Sequence, residues 1–405
     1  MSEDRLVDLL RRLIAARSPN PPGDERRVAE VIREEATRLG LPEPDCHALD
    51  PRRPNLLFRL GHGPPTLILA AHMDTVPAGE TASWNSDPFE LSERDGELVG
   101  LGTADMKASI AAMLIASARW LRAPTAPGSV ALVFSADEEN YSRYGMQYLA
   151  ECGLLVGDAA VVTEPSSLGT GSWQNFFTAQ RGSCVAWLKA RGEPGHSGAL
   201  VPRERRASAP FIAALAALHE AELFGQWRHP IDGTTVTVNI ATMVEGGVIP
   251  VAHPEWLRAA IEVRTLEGMT EDIVLGELRG VLARAGLAER VAIEAARPPM
   301  NWFDAGRAAC DSRLLAAARN AWQEVLGQRP PPPTVMPAGT DAAHLNAAGI
   351  DALPAFGPGS LASAHNHNES IARRDLPRAV DLFEALIRHY HEQSVQTAIT
   401  NVPRR

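Results

Sequence analysis

Thr66-Leu67-Ile68-Leu69-Ala70-Ala71-His72-Met73-Asp74 is an apolar run that ends in two side chains able to bind a proton or a metal. A short run of this kind without polar alternation suits a strand buried on both faces, as in parallel sheets covered by helices. Ligand crevices in such sheets lie at the carboxyl ends of the strands, which is where His72 and Asp74 fall. The two-residue period of a strand sets both on one side, so the carboxylate can fix the imidazole tautomer. Taken alone, His-x-Asp also reads as an incidental polar loop, and the flanking sequence has to decide.

Similar apolar runs occupy 56–60, 130–135 and 159–162, with a helix expected over 106–121. Two helices are expected ahead of them: one over 6–14 behind Asp4, the other over 25–39 after Asn20-Pro21-Pro22-Gly23. Strands separated by helices imply an α/β domain with a mixed, mostly parallel sheet and helices on both faces. From about 182 the order becomes strand 183–190, helix 207–223, strands 234–243 and 255–263, helix 270–285, strand 290–294. That is the βαββαβ order of a ferredoxin-like α+β unit. Helices over 311–325, 341–348 and 376–391, with short strands at 333–336 and 351–355, are expected to return to the first sheet. The chain therefore reads as a discontinuous catalytic domain, 1–180 and 297–405, interrupted by an inserted unit over 181–296.

The sum of 39 basic and 49 acidic residues, net -10, lacks the basic surplus that phosphate neutralisation needs, so nucleic acid is excluded as a partner. The first residues, Met1-Ser2-Glu3-Asp4, are acidic where a secretory signal is basic. The longest uncharged apolar segment, 108–118, is about half the ~20 residues a membrane span requires. Four cysteines (Cys46, Cys152, Cys184, Cys310) are widely spaced and form no Cys-x-x-Cys pair, which points to the cytoplasm. Lys107 and Lys189 are the only lysines, a hint that arginine would not serve at those positions.

Further acids gather at the ends of the expected elements. Gly100-Leu101-Gly102-Thr103-Ala104-Asp105-Met106-Lys107 presents Asp105 at a helix start, where it could be a simple cap. Phe134-Ser135-Ala136-Asp137-Glu138-Glu139 runs from a strand into three acids, which repel one another unless solvated or neutralised by cations. Val161-Val162-Thr163-Glu164-Pro165 ends another strand in an acid, and Ala364-His365-Asn366-His367-Asn368-Glu369 follows a glycine-rich turn. Together these supply the nitrogen and oxygen ligands that suit paired zinc, cobalt or manganese ions. No Gly-x-Gly-x-x-Gly or Walker-type loop follows the first strand, which disfavours a nucleotide-binding protein.

On these motifs, and in this order along nearly the whole chain, the sequence resembles the di-zinc metallopeptidase and amidohydrolase family of aminoacylase-1, acetylornithine deacetylase, succinyl-diaminopimelate desuccinylase and glutamate carboxypeptidase. The resemblance implies a zinc-aminopeptidase-like fold with an inserted lid and dimerisation domain, and two Zn2+ per chain, with Co2+ or Mn2+ as substitutes. It makes His72 and Glu164 ligands of one metal, Glu139 and His365 ligands of the other, and Asp105 the bridge. His365 is favoured over His367 because the family histidine stands four residues before the glutamate matched by Glu369. Asp74 would orient His72, and Glu138 would be the general base. Gly195-His196-Ser197 resembles the lid histidine motif, making His196 an oxyanion donor that reaches the partner subunit of a homodimer. Ile261-Glu262-Val263-Arg264 resembles the strand whose arginine holds a substrate carboxylate. Two positions depart from the pattern: Val251 stands where relatives often have asparagine, and Ala108 where glycine commonly follows the lysine. The implied activity is hydrolysis of the amide bond of a small N-acyl amino acid by metal-activated water; the alternative is a dipeptidase or carboxypeptidase acting on short peptides.

Overall fold

The Thr66–His72 strand lies inside a six-stranded sheet in a computed structural model that describes residues 3–123, 128–198, 201–298 and 300–400, with side chains described to residue 392. The strand order is Asp45–His47, Asn55–His62, Gly128–Ser135, Thr66–His72, Ala159–Val162, Asp351–Leu353. The first two pairings are antiparallel and the last three parallel. Because Thr66–His72 runs parallel to both its neighbours, the three strands end on the same edge, and the segments leaving that edge carry His72, Glu138, Glu139 and Glu164.

Alternation along the strands sorts their side chains into two cores. Leu56, Phe58, Leu67, Leu69, Val130, Leu132, Phe134 and Val161 face one way and pack with the helices Glu3–Ala15, Arg26–Leu39, Ala108–Leu121, Arg313–Leu326 and Asp375–Thr400. Leu57, Ile68, Ala70, Val133, Ala160 and Val162 face the other way, against the short helices Met146–Glu151 and Ala342–Ala347. Phe58 and Phe134 meet edge to face across adjacent strands at 5.9 Å between ring centroids, worth about 1 kcal/mol beyond their burial. Ser312 caps Arg313–Leu326 by accepting the Leu315 N–H, and Gly327 closes that helix in the left-handed conformation.

The chain divides into two compact units. One comprises the described residues up to Ala179, with Arg307–Met336 and those from Thr340 onward; the other is Gln180–Gly306 with Pro337–Gly339. The second unit runs past 296 because Trp302–Phe303 adds to the Gly182–Arg191 strand, pairing with Cys184 and Ser183. Its sheet has the order Thr237–Gly246, Trp256–Thr265, Gly182–Arg191, Val291–Ala295, antiparallel throughout. Numbered along the unit this is 2-3-1-4, the ferredoxin-like arrangement, with the helices Ser208–Glu220 and Glu271–Arg284 packed on one face. Two local expectations are corrected. Pro333–Met336 does not join the main sheet but lies beside Phe176–Gln180 in a separate three-stranded sheet. The regular helix expected from 106 begins at Ala108, for a reason that lies in the site.

Candidate metal centre

His72, the last residue of its strand, is 1% exposed. Its Nδ1 donates to the Asp74 backbone carbonyl at 3.0 Å, with the Asp74 carboxylate at 3.5 Å. That leaves Nε2 facing Asp105 Oδ1 at 2.9 Å and Glu164 Oε1 at 3.5 Å. A ring nitrogen whose other proton is already committed can face two carboxylates only if a cation, either a proton or a metal ion, lies between them. The same holds for His365, whose Nε2 lies 3.3 Å from Asp105 Oδ2 and 3.0 Å from Glu139 Oε2. Asp105 therefore offers one oxygen to each histidine. Of the two late histidines it is His365 that faces the cluster; His367 meets Trp84 in a T-shaped contact with 6.2 Å between ring centroids.

Asp105 is not a helix cap. It lies in the turn Thr103–Lys107, where Asp105 and Met106 depart from helical dihedrals. The Glu369 carboxylate accepts the backbone N–H groups of Gly102, Ala104 and Asp105 at 2.9, 2.7 and 2.9 Å, which holds the turn ahead of the helix. Gly102 has φ 84°, and a Cβ there would stand 2.8 Å from Thr75 Cγ2, so only glycine fits. Behind the turn Lys107 is buried and donates to the Ala16 carbonyl at 3.0 Å. Burial pulls its ammonium down to about 7 against the opposing pull of Glu369, Asp74 and Glu25.

Glu138 and Glu139 open a turn that passes through left-handed backbone at Asp137, Tyr141 and Ser142, with φ of 66, 70 and 55°. Non-glycine residues pay about 1–2 kcal/mol each for this geometry, so other bonds must hold it. Asp341 accepts from Ser135 Oγ at 2.8 Å and from Ser142 Oγ at 2.5 Å. The Asp74 carboxylate accepts the N–H groups of Glu138 and Glu139, each at 3.2 Å. Glu139 Oε1 takes the Val76 N–H at 3.1 Å, which aims its other oxygen at His365. The acidic run is thus a bonded turn and not a solvated loop.

The charges agree with this picture. Burial raises the Glu138 and Glu164 carboxyls well above the ordinary range, and neighbouring carboxylates add to it. Glu139 is raised by burial and by Asp105. For Asp105, burial would raise the pKa, but hydrogen bonds from His365 and His72 bring it far below the usual value. His72 is held well above its ordinary value, since bonds to Asp105 and Asp74 outweigh the burial that opposes its charge. His365 is raised to about 11 by Asp105 and Glu139. Two sets of donor atoms come within 4.8 Å of one another, His72 with Asp105 and Glu139, and His72 with Glu138 and Glu164. The buried His72, the exposed His365 and the carboxylates between them need compensating cations and fit divalent metal ions of the zinc, cobalt or manganese kind. The second set includes Glu138, which the sequence reading had kept as a base.

Residues 68–389 match Peptidase family M20/M25/M40. The chain belongs to this family. It is accordingly a hydrolase, and relatives of known structure and name surround it. It is 31% identical over 395 residues to a succinyl-diaminopimelate desuccinylase of Alkalilimnicola ehrlichii, covering 94% of this chain and 98% of that one. An M20 family metallo-carboxypeptidase, Sso-CP2 from Sulfolobus solfataricus, superposes with a TM-score of 0.77 at 18% identity, covering 96% and 100% of the two chains. A dinuclear metal-binding M20 peptidase of Bacillus subtilis does so with a TM-score of 0.64 at 19% identity, covering 96% and 98%. The likeness to both structures is one of fold.

The other two site residues expected in this M20/M25/M40 hydrolase belong to the inserted unit. Gly195–His196 pairs antiparallel with Ala252–His253, and His196 is exposed. Its Nδ1 accepts the Gly198 N–H at 3.1 Å, which assigns the ring proton of the neutral form to Nε2 and leaves that nitrogen a donor. Val251 accepts the Ser197 N–H through its carbonyl, so the departure from asparagine lies beside the histidine turn. Arg264 pairs with Glu262 at 2.7 Å and is one-third exposed. Arg181, unremarked in the sequence, is bonded to Thr237 Oγ1 at 2.6 Å, and its guanidinium is lowered by burial and by the charge of Arg264. No pattern in the sequence marks Arg181 or Asp341, because their partners are distant along the chain; Glu369 entered only as the landmark that selects His365, without its hold on the Asp105 turn.

Proposed function

We propose that the chain hydrolyses the amide bond of a small N-acyl amino acid, with two zinc ions held by His72, Asp105, Glu139, Glu164 and His365. The observation that carries this reading is the Asp105 carboxylate, which offers one oxygen to each histidine, as a bridge between two ions would. His72 and Glu164 would hold one ion, Glu139 and His365 the other, and cobalt or manganese would serve in place of zinc. When bound, the ions would lower the pKa of a water towards ~7 and polarise the scissile carbonyl. Glu138 takes the proton of the attacking water and passes it to the leaving nitrogen; its raised pKa suits both duties. Asp74 keeps His72 in the tautomer that leaves Nε2 free, and His196 donates through Nε2 to the developing oxyanion. Similarity to a succinyl-diaminopimelate desuccinylase over 98% of its length favours an acyl amino acid over a dipeptide.

The inserted unit serves as lid and dimerisation domain in this proposal. Thr237–Gly246 is the edge of its sheet and exposes Met243 and Val244, with Val248 and Ile249 exposed in the segment that follows. A long apolar edge favours pairing with a second copy, and a twofold pairing would be isologous. Cytoplasmic residence is supported by the free thiols of Cys46, Cys152, Cys184 and Cys310. No helix among the described residues is long and apolar enough to cross a membrane.

The test is a hydrolysis screen of protein reconstituted with zinc, cobalt or manganese against acetyl, succinyl, carbamoyl and peptidyl amino acids. Cleavage of N-acyl amino acids is expected. Preference for dipeptides would move the assignment to a dipeptidase or carboxypeptidase, and inactivity with all three metals would overturn it. With the best substrate, Arg264→Ala is expected to raise KM far more than it lowers kcat, since a grip on a remote carboxylate acts equally in ground and transition states. An unchanged KM would mean that the carboxylate is held elsewhere, as Val251 already hints.

A further inference from the structure

We infer that Asn20 is a positioning residue of the metal centre, its side-chain amide tying Asp74 to Asp137 and so fixing the turn that carries Glu138 and Glu139. The inference rests on the reading of the cluster as a metal site. Asn20 is 2% exposed, and Asp74 and Asp137 are fully buried. Its Nδ2 donates to Asp74 Oδ2 at 2.8 Å and to Asp137 Oδ1 at 3.0 Å. An amide nitrogen has two hydrogens, and both are used; with the amide turned over, its oxygen would face two carboxylates and repel them. Asparagine is therefore required in this orientation, whereas aspartate would add a third anion.

The segment that carries Asn20 is fastened to the strand end it serves. Asn20 N–H donates to the Thr75 carbonyl at 2.8 Å, Thr75 N–H to Ser18 at 3.0 Å, and Ser18 Oγ to the Met73 carbonyl at 2.8 Å. Asp137 is held from the far side as well. Arg53, 4% exposed, donates to Asp137 at 3.0 Å and, through two nitrogens, to the fully buried Glu25. Arg53 thus neutralises part of the charge that Asn20 gathers. The bonds then continue into the site, since Asp74 is at once the acceptor of Asn20, the partner of His72 Nδ1 and the acceptor of the Glu138 and Glu139 N–H groups. Without the amide, two buried carboxylates would face each other with one donor fewer, and Asp74 would be free to turn from His72. Supporting bonds of this kind to a metal-binding histidine are worth about 10- to 100-fold in metal affinity or activity.

The experiment compares wild type with Asn20→Ala in three measurements: zinc affinity by competition with a chromogenic chelator, the absorption spectrum of the cobalt-loaded protein, and kcat with KM on the substrate found by the screen. Circular dichroism and thermal melting report folding. The expected result is a folded variant that binds zinc about 10- to 100-fold more weakly, has an altered cobalt spectrum, and loses kcat with KM within about threefold. Native zinc affinity with a native cobalt spectrum would overturn the inference, whatever the melting temperature. If Asn20→Ala yields no folded protein, Asn20→Ser decides, because a hydroxyl can donate to only one of the two carboxylates. An intermediate loss there supports the inference; native behaviour, or failure of both variants to fold even with zinc present, overturns it and leaves Asn20 a folding residue. Wild-type protein that binds no zinc would instead refute the metal site itself.

Discussion

Glu138→Gln is expected to keep its metal and to lose at least ~100-fold in turnover. The substitution preserves size and leaves the backbone N–H bonded to Asp74 at 3.2 Å, but an amide cannot accept the proton of the attacking water. General acid-base catalysis contributes about 10²- to 10⁴-fold, so the loss should fall in that range and appear in kcat. The measurement is metal content by elemental analysis alongside steady-state kinetics. If the variant loses metal instead, Glu138 is a ligand, as its place within 4.8 Å of the donor atoms of His72 and Glu164 allows, and the roles of Glu138 and Glu139 must be exchanged.

Mixing two inactive variants, His196→Ala and Glu138→Gln, is expected to restore roughly a quarter of wild-type activity once subunits exchange. A homodimer in which His196 serves the partner's cleft creates, in the mixed dimer, one site that lacks both residues and one that lacks neither. Random pairing makes half of the dimers mixed, each with one intact site of two. The readout starts from background, so the effect is large. Exchange is verified with differently tagged chains. If activity stays at background after verified exchange, His196 does not act across the interface.

The sheet and its polar strand ends were legible because both follow from local pattern. The unbroken apolar run 66–71 and the place of the acids at 138, 139 and 164 after strands need only the periods of strands, while their reading as site residues, with Asp105, rests on the family resemblance. The Thr103–Lys107 turn was not legible, because it is held by Glu369, more than 260 residues away, whose carboxylate takes the N–H groups of Gly102, Ala104 and Asp105. Asn20-Pro21-Pro22-Gly23 served in the sequence only to separate the first two helices, as it does in the structure. Its amide acquires a role only once the fold brings Asp74 and Asp137 against it. Lys107 is the reverse case. The scarcity of lysine singled it out, and it is buried behind the Asp105 turn with its ammonium bonded to the Ala16 carbonyl, where a guanidinium would bring five N–H donors to be satisfied.

If His72, Asp105, Glu139, Glu164 and His365 together hold two ions at a hydrolytic site, activity should follow metal occupancy. The most direct test is a metal titration of chelator-treated protein, with hydrolysis of an N-acyl amino acid followed after each addition and bound metal counted at the end. No activity is expected without metal, then a rise that saturates at two equivalents, with two ions bound per chain. Saturation at a single tightly held ion would contradict the bridged centre, and full activity in metal-free protein would refute metal-dependent hydrolysis.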